Sequence, residues 1–444
     1  MRPAIIISAS CAALLLCGAS AFAQTESKVL VDICNKLAAN PLDTNRPDDV
    51  EGATARKIDP KIAIPACEAA RKAAPGDPRI AYQLGRAYHA SKSYESARVH
   101  YEAAVEAGYL HAINNLAAYY TNGFGVPADV PRGIAMFEKA ANAGLPLAMR
   151  NIGERYRAGK QVTKDLTIAR EWYRKGAEAG DTVSMTTFGI MLEKGEGGAE
   201  DLRGARVWYK KAADANNRLA MFGLGRLLAN GDGGAQDLKE ARSWYLKAAI
   251  AGHSGGMNNY ALALANGDGG ATDAKEARVW YLKAIAANNP VAMNNYGGLL
   301  YRGDGGPKNL AEARDWYKKA AQAGVPMAMK NYSVVLAKGD GGPADAAAAK
   351  HWREEAAKHG IKDSRPGVRR RIARRSAPML QAQDGESAPK GYSREAMYAH
   401  CRREVFRRFS SPGVISGRAY RGVLYNRFLV PQVDGCVANG GRVI

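Results

Sequence analysis

Tryptophan, glycine and a few C-terminal side chains are the first candidates for chemistry in this chain. Trp172, Trp208, Trp244, Trp280 and Trp316 are each followed by tyrosine (Tyr173, Tyr209, Tyr245, Tyr281 and Tyr317), and Trp352 closes the series. Aromatic ladders of this kind can stack on sugar rings. Glycine-rich turns begin at Gly195, Gly231, Gly267, Gly303 and Gly339, inviting comparison with loops that cradle phosphate. Near the C-terminus, His400, Cys401 and Cys436 are of metal-ligating types.

Each candidate has a plainer reading. All six tryptophans are spaced 36 residues apart, a regularity that repeating structural units need and a single reaction centre does not. The indoles are expected to seal one unit against the next. Phosphate loops lead into a bare helix N-terminus, whereas here Asp165, Asp201, Asp237, Asp273 and Asp345, with Asn309 in the sixth unit, precede a helix. A carboxylate there caps the helix and repels phosphate. Calcium β-roll loops repeat about every nine residues, a different period. His400 and Cys401 are adjacent on a helix and diverge, and no fourth ligand is apparent, so neither a metal nor a cofactor is expected. Nucleophile-elbow, zinc-protease and P-loop signatures are missing, and the seven histidines share no repeat column. The chain therefore reads as non-enzymatic. A wall-active enzyme, β-lactamase-like or glycan-cleaving, is the alternative from that class.

The elements behind these residues are helices. Seven units of 36 residues run from Gly108 to His359, each with two helical stretches around a glycine turn. In the first helix, Met149, Met185, Met221, Met257, Met293 and Met329 share a column. Three residues on come Leu116, Ile152, Phe188, Leu224, Tyr260, Tyr296 and Tyr332, and four further on a mostly leucine column. This i, i+3, i+7 spacing predicts a core-facing stripe. Small residues beside it (Gly153, Gly189, Gly225, Ala261, Gly297 and Ser333) predict close approach of a neighbouring helix.

The order Ala-Met-x-Asn-φ-Gly, Gly-x-Gly, Asp, then Ala-x-x-Trp-Tyr-x-Lys-Ala-Ala resembles the Sel-one-like repeat (SLR), a relative of the tetratricopeptide repeat, over residues 108–359. Residues 75–107 look like a shorter tetratricopeptide unit. The resemblance implies an all-α fold: a right-handed α-solenoid of antiparallel helix pairs, an SLR/TPR-like superhelix. A small disulfide-stapled C-terminal module would follow it. It also implies a protein-protein interaction scaffold that binds a partner in its concave groove, with regulation of envelope signalling or exopolysaccharide production as suggested roles. Mapped onto this chain, the groove positions are Asn114, Arg150, Thr186, Phe222, Asn258, Asn294 and Lys330, with a second row of Arg157, Lys194, Arg226, Arg302 and Lys338. Amides mixed with cations suit an acidic protein or peptide ligand. Several relatives carry paired cysteines inside each repeat. This chain has none there, which weakens any transfer of penicillin-related activity.

The ends differ from the repeats. Residues 1–23 read as a signal peptide, with Arg2, an apolar run from Ala4 to Ala19 and Ala21-Phe22-Ala23 before the cut, which predicts a periplasmic or secreted protein without a transmembrane span after cleavage. Residues 24–74 read as an N-terminal arm and capping helix, with a surface loop over residues 41–56. Cys34, Cys67, Cys401 and Cys436 then remain; four cysteines permit three pairings, and proximity favours Cys34 with Cys67 and Cys401 with Cys436. The net charge is +20 over 444 residues. Residues 360–391 read as a basic arm (Arg365, Arg369, Arg370, Arg371, Arg374 and Arg375) and flexible linker, and 392–444 as the small module. That basic region supports a second functional reading, binding of an envelope polyanion or polysaccharide. Export makes nucleic acid an unlikely partner.

Overall fold

A computed structural model of the protein describes residues 9–43 and 45–361, with side chains from residue 24 onward. Cys401, Cys436, the basic arm and the C-terminal module lie outside the described residues. Among the described residues every extended element is an α-helix, apart from one short 3-10 turn at Ala55–Lys57. The helices are α1 (Ala9–Ala38), α2 (Pro60–Ala73), α3 (Pro78–Ala90), α4 (Tyr94–Glu106), α5 (Leu110–Asn122) and α6 (Val130–Asn142). Next come α7 (Pro146–Ala158), α8 (Leu166–Glu178), α9 (Thr182–Lys194), α10 (Leu202–Asp214), α11 (Arg218–Asn230) and α12 (Leu238–Ile250). The last are α13 (Ser254–Asn266), α14 (Ala274–Ala286), α15 (Pro290–Arg302), α16 (Leu310–Gln322), α17 (Pro326–Lys338) and α18 (Ala346–Lys358). No described helix is long and apolar enough to cross a membrane. Two compact units divide the chain, one through Ala292 and one from Met293. Within each, successive helices pack as antiparallel hairpins, the architecture of an α-solenoid.

Helix ends are set by local chemistry. The Asp201 carboxylate accepts from Gly204 N at 2.8 Å, Asp237 from Glu240 N at 2.8 Å, and Asn309 from Glu312 N at 3.1 Å. Asp165, Asp273 and Asp345 cap α8, α14 and α18 in the same way. First helices stop at Gly195, Gly231, Gly267 and Gly339, all with left-handed φ near +70° to +80°. The glycine turns are thus C-cap plus N-cap, as expected from sequence. A further role belongs to the second glycine of each turn. A methyl group at Gly197, Gly233 or Gly269 would sit about 2 Å from the carbonyl of Leu166, Leu202 or Leu238. Each turn therefore lies backbone to backbone against the second helix of the preceding repeat.

The deepest column of the first helices is one residue earlier than the sequence suggested. Ala148, Ser184, Ala220, Ala292 and Ala328 are fully buried, whereas of the methionines beside them Met221 and Met329 are buried and Met149, Met185 and Met293 half-buried. A small residue is required because the preceding second helix crosses there: a Cβ on Gly256 would lie 2.7 Å from Ala248 Cβ.

At the N-terminal end, α1 and α2 pack on one another and on α3, with Cys34 and Cys67 joined as a disulfide, Cα to Cα 4.8 Å. The segment following α1 is held more firmly than the surface loop expected there. The Asp43 side chain is 1% exposed, Tyr109 donates its hydroxyl to Asp43 Oδ2, and His111 Nε2 lies 3.7 Å from Oδ1. Asn40 donates to Tyr82 Oη at 2.9 Å, and Gln83 to Asn35 Oδ1 at 2.9 Å. Burial pushes the Tyr82 phenol up to about 12 and pulls His111 below its ordinary range, an effect that Asp43 opposes and Arg86 reinforces.

Candidate partner-binding site

Which surface is free for a partner depends on which side chains the packing consumes. Tyr209 joins two consecutive hairpins. Tyr209 is 2% exposed and fills a slot between two glycines. A Cβ on Gly189, in its own repeat, would lie 2.9 Å from the ring, and one on Gly223, in the next repeat, 3.1 Å. Within their own hairpins, Gly153 faces Tyr173, Gly225 faces Tyr245 and Gly297 faces Tyr317, as Gly189 faces Tyr209. The small-residue column of the first helices is the receptacle for these rings.

The indoles were expected to glue adjoining hairpins; Tyr209 shares that role, and the indoles are less deeply buried than it is. Trp244 is buried and the other five are half-buried. Their ring partners lie in their own hairpin: Phe188 with Trp208 at 5.6 Å, Tyr260 with Trp280 at 5.5 Å, and Tyr332 with Trp352 at 5.8 Å, all edge-on. Neighbouring residues on a helix point about 100° apart, so only one member of each Trp-Tyr pair can face the next repeat. The smaller ring takes the crowded side. The outer indole faces carry lysines: Lys175 over Trp172 at 4.4 Å, Lys211 over Trp208 at 4.2 Å, Lys247 over Trp244 at 3.9 Å and Lys283 over Trp280 at 3.9 Å. Glu240 and Glu276 accept the indole N–H of Trp244 and Trp280 at 3.1 Å. A sugar ring would have to displace a lysine to stack there.

One column went unread in the sequence. Arg170, Arg206 and Arg242 reach the next repeat's turn, donating to Ala199 O at 3.0 Å, Ala235 O at 2.9 Å and Ala271 O at 2.9 Å. The recurring Ala-Arg dipeptide two residues before Trp was the available signal.

The first-helix positions assigned to partner binding fall into three groups. Asn114, Thr186, Asn258 and Asn294 are buried and engaged within the chain. Asn151 donates to Asn114 Oδ1 at 2.8 Å, Asn331 to Asn294 Oδ1 at 2.8 Å, and Thr186 to Thr182 O at 2.8 Å. Asn258 donates to Asn259 Oδ1 at 3.0 Å. A second group is ion-paired: Arg150 with Asp181 at 3.0 Å, Arg157 with Glu196 at 3.0 Å, Lys194 with Glu196 at 3.9 Å, Arg226 with Glu193, and Arg302 with Asp304 at 2.6 Å. Burial of Arg226 opposes its charge, and the Glu193 hydrogen bond and negative charge, with Tyr209 and Tyr245, together outweigh it, so its pKa lies above the ordinary value. Lys330 is half-buried and Lys338 exposed. Phe222 packs on the His253 ring at 4.6 Å, where Gly255 leaves it space.

A concavity of about 380 Å³ opens on this face between α9 and the start of α11. Val183, Thr186, Thr187, Asn216, Asn217, Arg218 and Leu219 line it. Val183 and Leu219 are 45% and 44% exposed, and Arg218 is exposed beside them. Local departures from the repeat pattern coincide with it. Thr186-Thr187 and Phe222-Gly223 replace the x-Asn of the Ala-Met-x-Asn signature, and Asn216 takes φ +62° where most units begin with glycine.

These features define an α-solenoid built from helical hairpins locked ring into glycine. The Sel1 repeat model matches residues 68–109, 110–145, 146–181, 189–217, 218–253, 254–289, 290–325 and 326–361, and the chain belongs to the Sel1-repeat family. The first match takes in the segment read above as a tetratricopeptide unit, which makes eight repeats. Among solved structures, a protective antigen of uropathogenic Escherichia coli displaying an SLR fold is 24% identical, with a TM-score of 0.60 over 85% of this chain and 75% of that one. A Sel1 repeat protein from Oxalobacter formigenes is 27% identical, with a TM-score of 0.50 over 57% of this chain and 99% of that one. No curated protein matches the chain. Sel1-repeat proteins bind protein partners, and the repeats here form a scaffold of that kind.

Proposed function

We propose that this protein is an exported, non-enzymatic scaffold of the bacterial envelope that holds an extended, acidic segment of a protein partner on its first-helix face. The observation that carries this reading is the concavity between α9 and α11. It pairs two exposed aliphatic side chains, Val183 and Leu219, with the Arg218 guanidinium, so one site offers apolar contact and a charge for a carboxylate. Phe222 stands one turn from Arg218 on the same helix, and on the second unit, taken by itself, Lys330 is half-buried and Lys338 exposed. Because most of the other mapped cations are already paired, they set the shape of the face and lend less attraction to it. Export is supported by the signal-like segment and the Cys34–Cys67 disulfide. Regulation of envelope signalling or exopolysaccharide production is the setting in which such a scaffold would act.

The test is co-purification from an envelope extract, comparing full-length protein with Leu219→Glu and with a chain ending at His359. Leu219 is exposed, so its replacement leaves the fold intact. The partner should be lost with Leu219→Glu and kept by the shortened chain. Retention by Leu219→Glu with loss on shortening would transfer the function to the C-terminal region.

A further inference from the structure

The second helices present a different surface. On α10, α12 and α14 ten lysines and arginines face three carboxylates, Asp214, Glu240 and Glu276. Asp214 is taken by Lys210 at 2.6 Å, and the two glutamates accept indole N–H groups. Six of the cations are exposed and belong to no ion pair among the described residues: Arg203, Lys239 and Lys275 in one row, Lys211, Lys247 and Lys283 in the other. The second row is held in place over the tryptophan rings at 3.9–4.2 Å. Lys210 Nζ lies 5.3 Å from the Trp244 ring, which sets α10 and α12 side by side. Between and beside the rows stand Val207, Ile250, Val279 and Leu282, which are 49%, 72%, 49% and 43% exposed.

We propose that this face docks on the surface of an anionic phospholipid bilayer. Rows of cations alone would suit any polyanion, but an acidic glycan leaves the four aliphatic side chains in water. A partner helix needs a groove for its apolar stripe, and these residues project outward from their helices. A lipid headgroup region accommodates both features. Aliphatic side chains sink toward the acyl boundary, while lysine and arginine stay at the level of the phosphates with their stems lying on apolar neighbours. Membrane docking through the second helices leaves the first-helix face free, so the proposal stands apart from partner binding there.

Flotation of the full-length protein with vesicles tests it, using equal parts phosphatidylcholine and phosphatidylglycerol against phosphatidylcholine alone. Binding should require phosphatidylglycerol and weaken as salt is raised. Lys239→Glu, Lys247→Glu, Lys275→Glu and Lys283→Glu combined should lower partitioning by at least about tenfold. Ile250→Ser with Leu282→Ser should lower it about severalfold, since each loses buried apolar area, with circular dichroism unchanged in both variants. The proposal is overturned if vesicles do not bind. It is also overturned if the charge reversals leave binding unaltered, which would place it in the basic C-terminal arm. Finally, it fails if a soluble polyuronate binds as tightly and the serine variants have no effect, which would make the surface a glycan site.

Discussion

Replacing Tyr209 by alanine should damage the array far more than replacing the larger Trp208 beside it. Tyr209 is 2% exposed, touches glycine positions in two consecutive repeats and donates to Glu193 Oε2 at 2.9 Å. Removing a buried aromatic ring costs about 3–5 kcal/mol when the walls cannot close. Helix backbones on both sides line this slot, so relaxation is limited. Trp208 is half-buried, with one face under Lys211 and an edge on Phe188. Its truncation should cost about 1–2 kcal/mol, in proportion to the smaller apolar area withdrawn from water. Repeat arrays open locally, so a single global melting temperature is the wrong readout. Amide hydrogen exchange over α9, α10 and α11 reads the local free energy. Tyr209→Ala should accelerate exchange in all three helices by more than about a hundredfold, given tenfold per 1.4 kcal/mol. Trp208→Ala should accelerate α9 and α10 by about tenfold and spare α11. Equal effects, or a larger one from Trp208→Ala, would refute the assignment of the inter-repeat seal to tyrosine.

Asp237→Ala removes the side-chain cap of α12 and should destabilise its first turn by about 1 kcal/mol, seen as faster exchange at Glu240 with little change in α13. His253 replaces the Asp or Asn cap used at neighbouring first helices, its Nδ1 accepting from Gly256 N at 3.1 Å. Burial, and secondarily Arg218, hold its pKa below the ordinary 6.5, so the unfolded chain takes up the proton first as pH falls. Stability at the start of α13 should be full above about pH 6.5, decline below it until the folded imidazole also protonates, and become flat in His253→Asn. Reducing the Cys34–Cys67 bridge reopens a loop of 33 residues, worth about 3–4 kcal/mol in the chain-entropy model. Limited proteolysis with and without reductant should show residues 24–75 becoming susceptible while α9–α14 stay protected.

Features governed by local rules were legible in the sequence. The period, the hairpin pairs, the glycine C-caps and the caps at Asp201, Asp237 and Asn309 each depend on residues within one turn of one another. Adjacent aromatics were harder to assign, because composition does not say which of Trp208 and Tyr209 turns toward the neighbouring repeat. The apolar stripe was legible, with Met221, Leu224 and Leu228 all buried, but hydrophobicity marks Met185 where the tight crossing selects the small Ser184 beside it. Long-range polar contacts left no periodic trace, as with Asp43 meeting Tyr109 and His111 across more than sixty residues. Burial of Asn114 and Asn294 was likewise invisible, since the asparagines that engage them, Asn151 and Asn331, come from the next repeat. The concavity at Val183 and Leu219 shows in sequence as a lapse of the repeat pattern, a signal that gains meaning once the regular positions are known to be structural.

Photo-crosslinking in the living envelope separates the two faces of the repeats. A photoreactive residue placed at Val183, on the first-helix face, should yield a discrete protein adduct, and the same residue at Val279, on the second-helix face, should not. Protein adducts from position 279 with none from position 183 would contradict partner binding by the first helices.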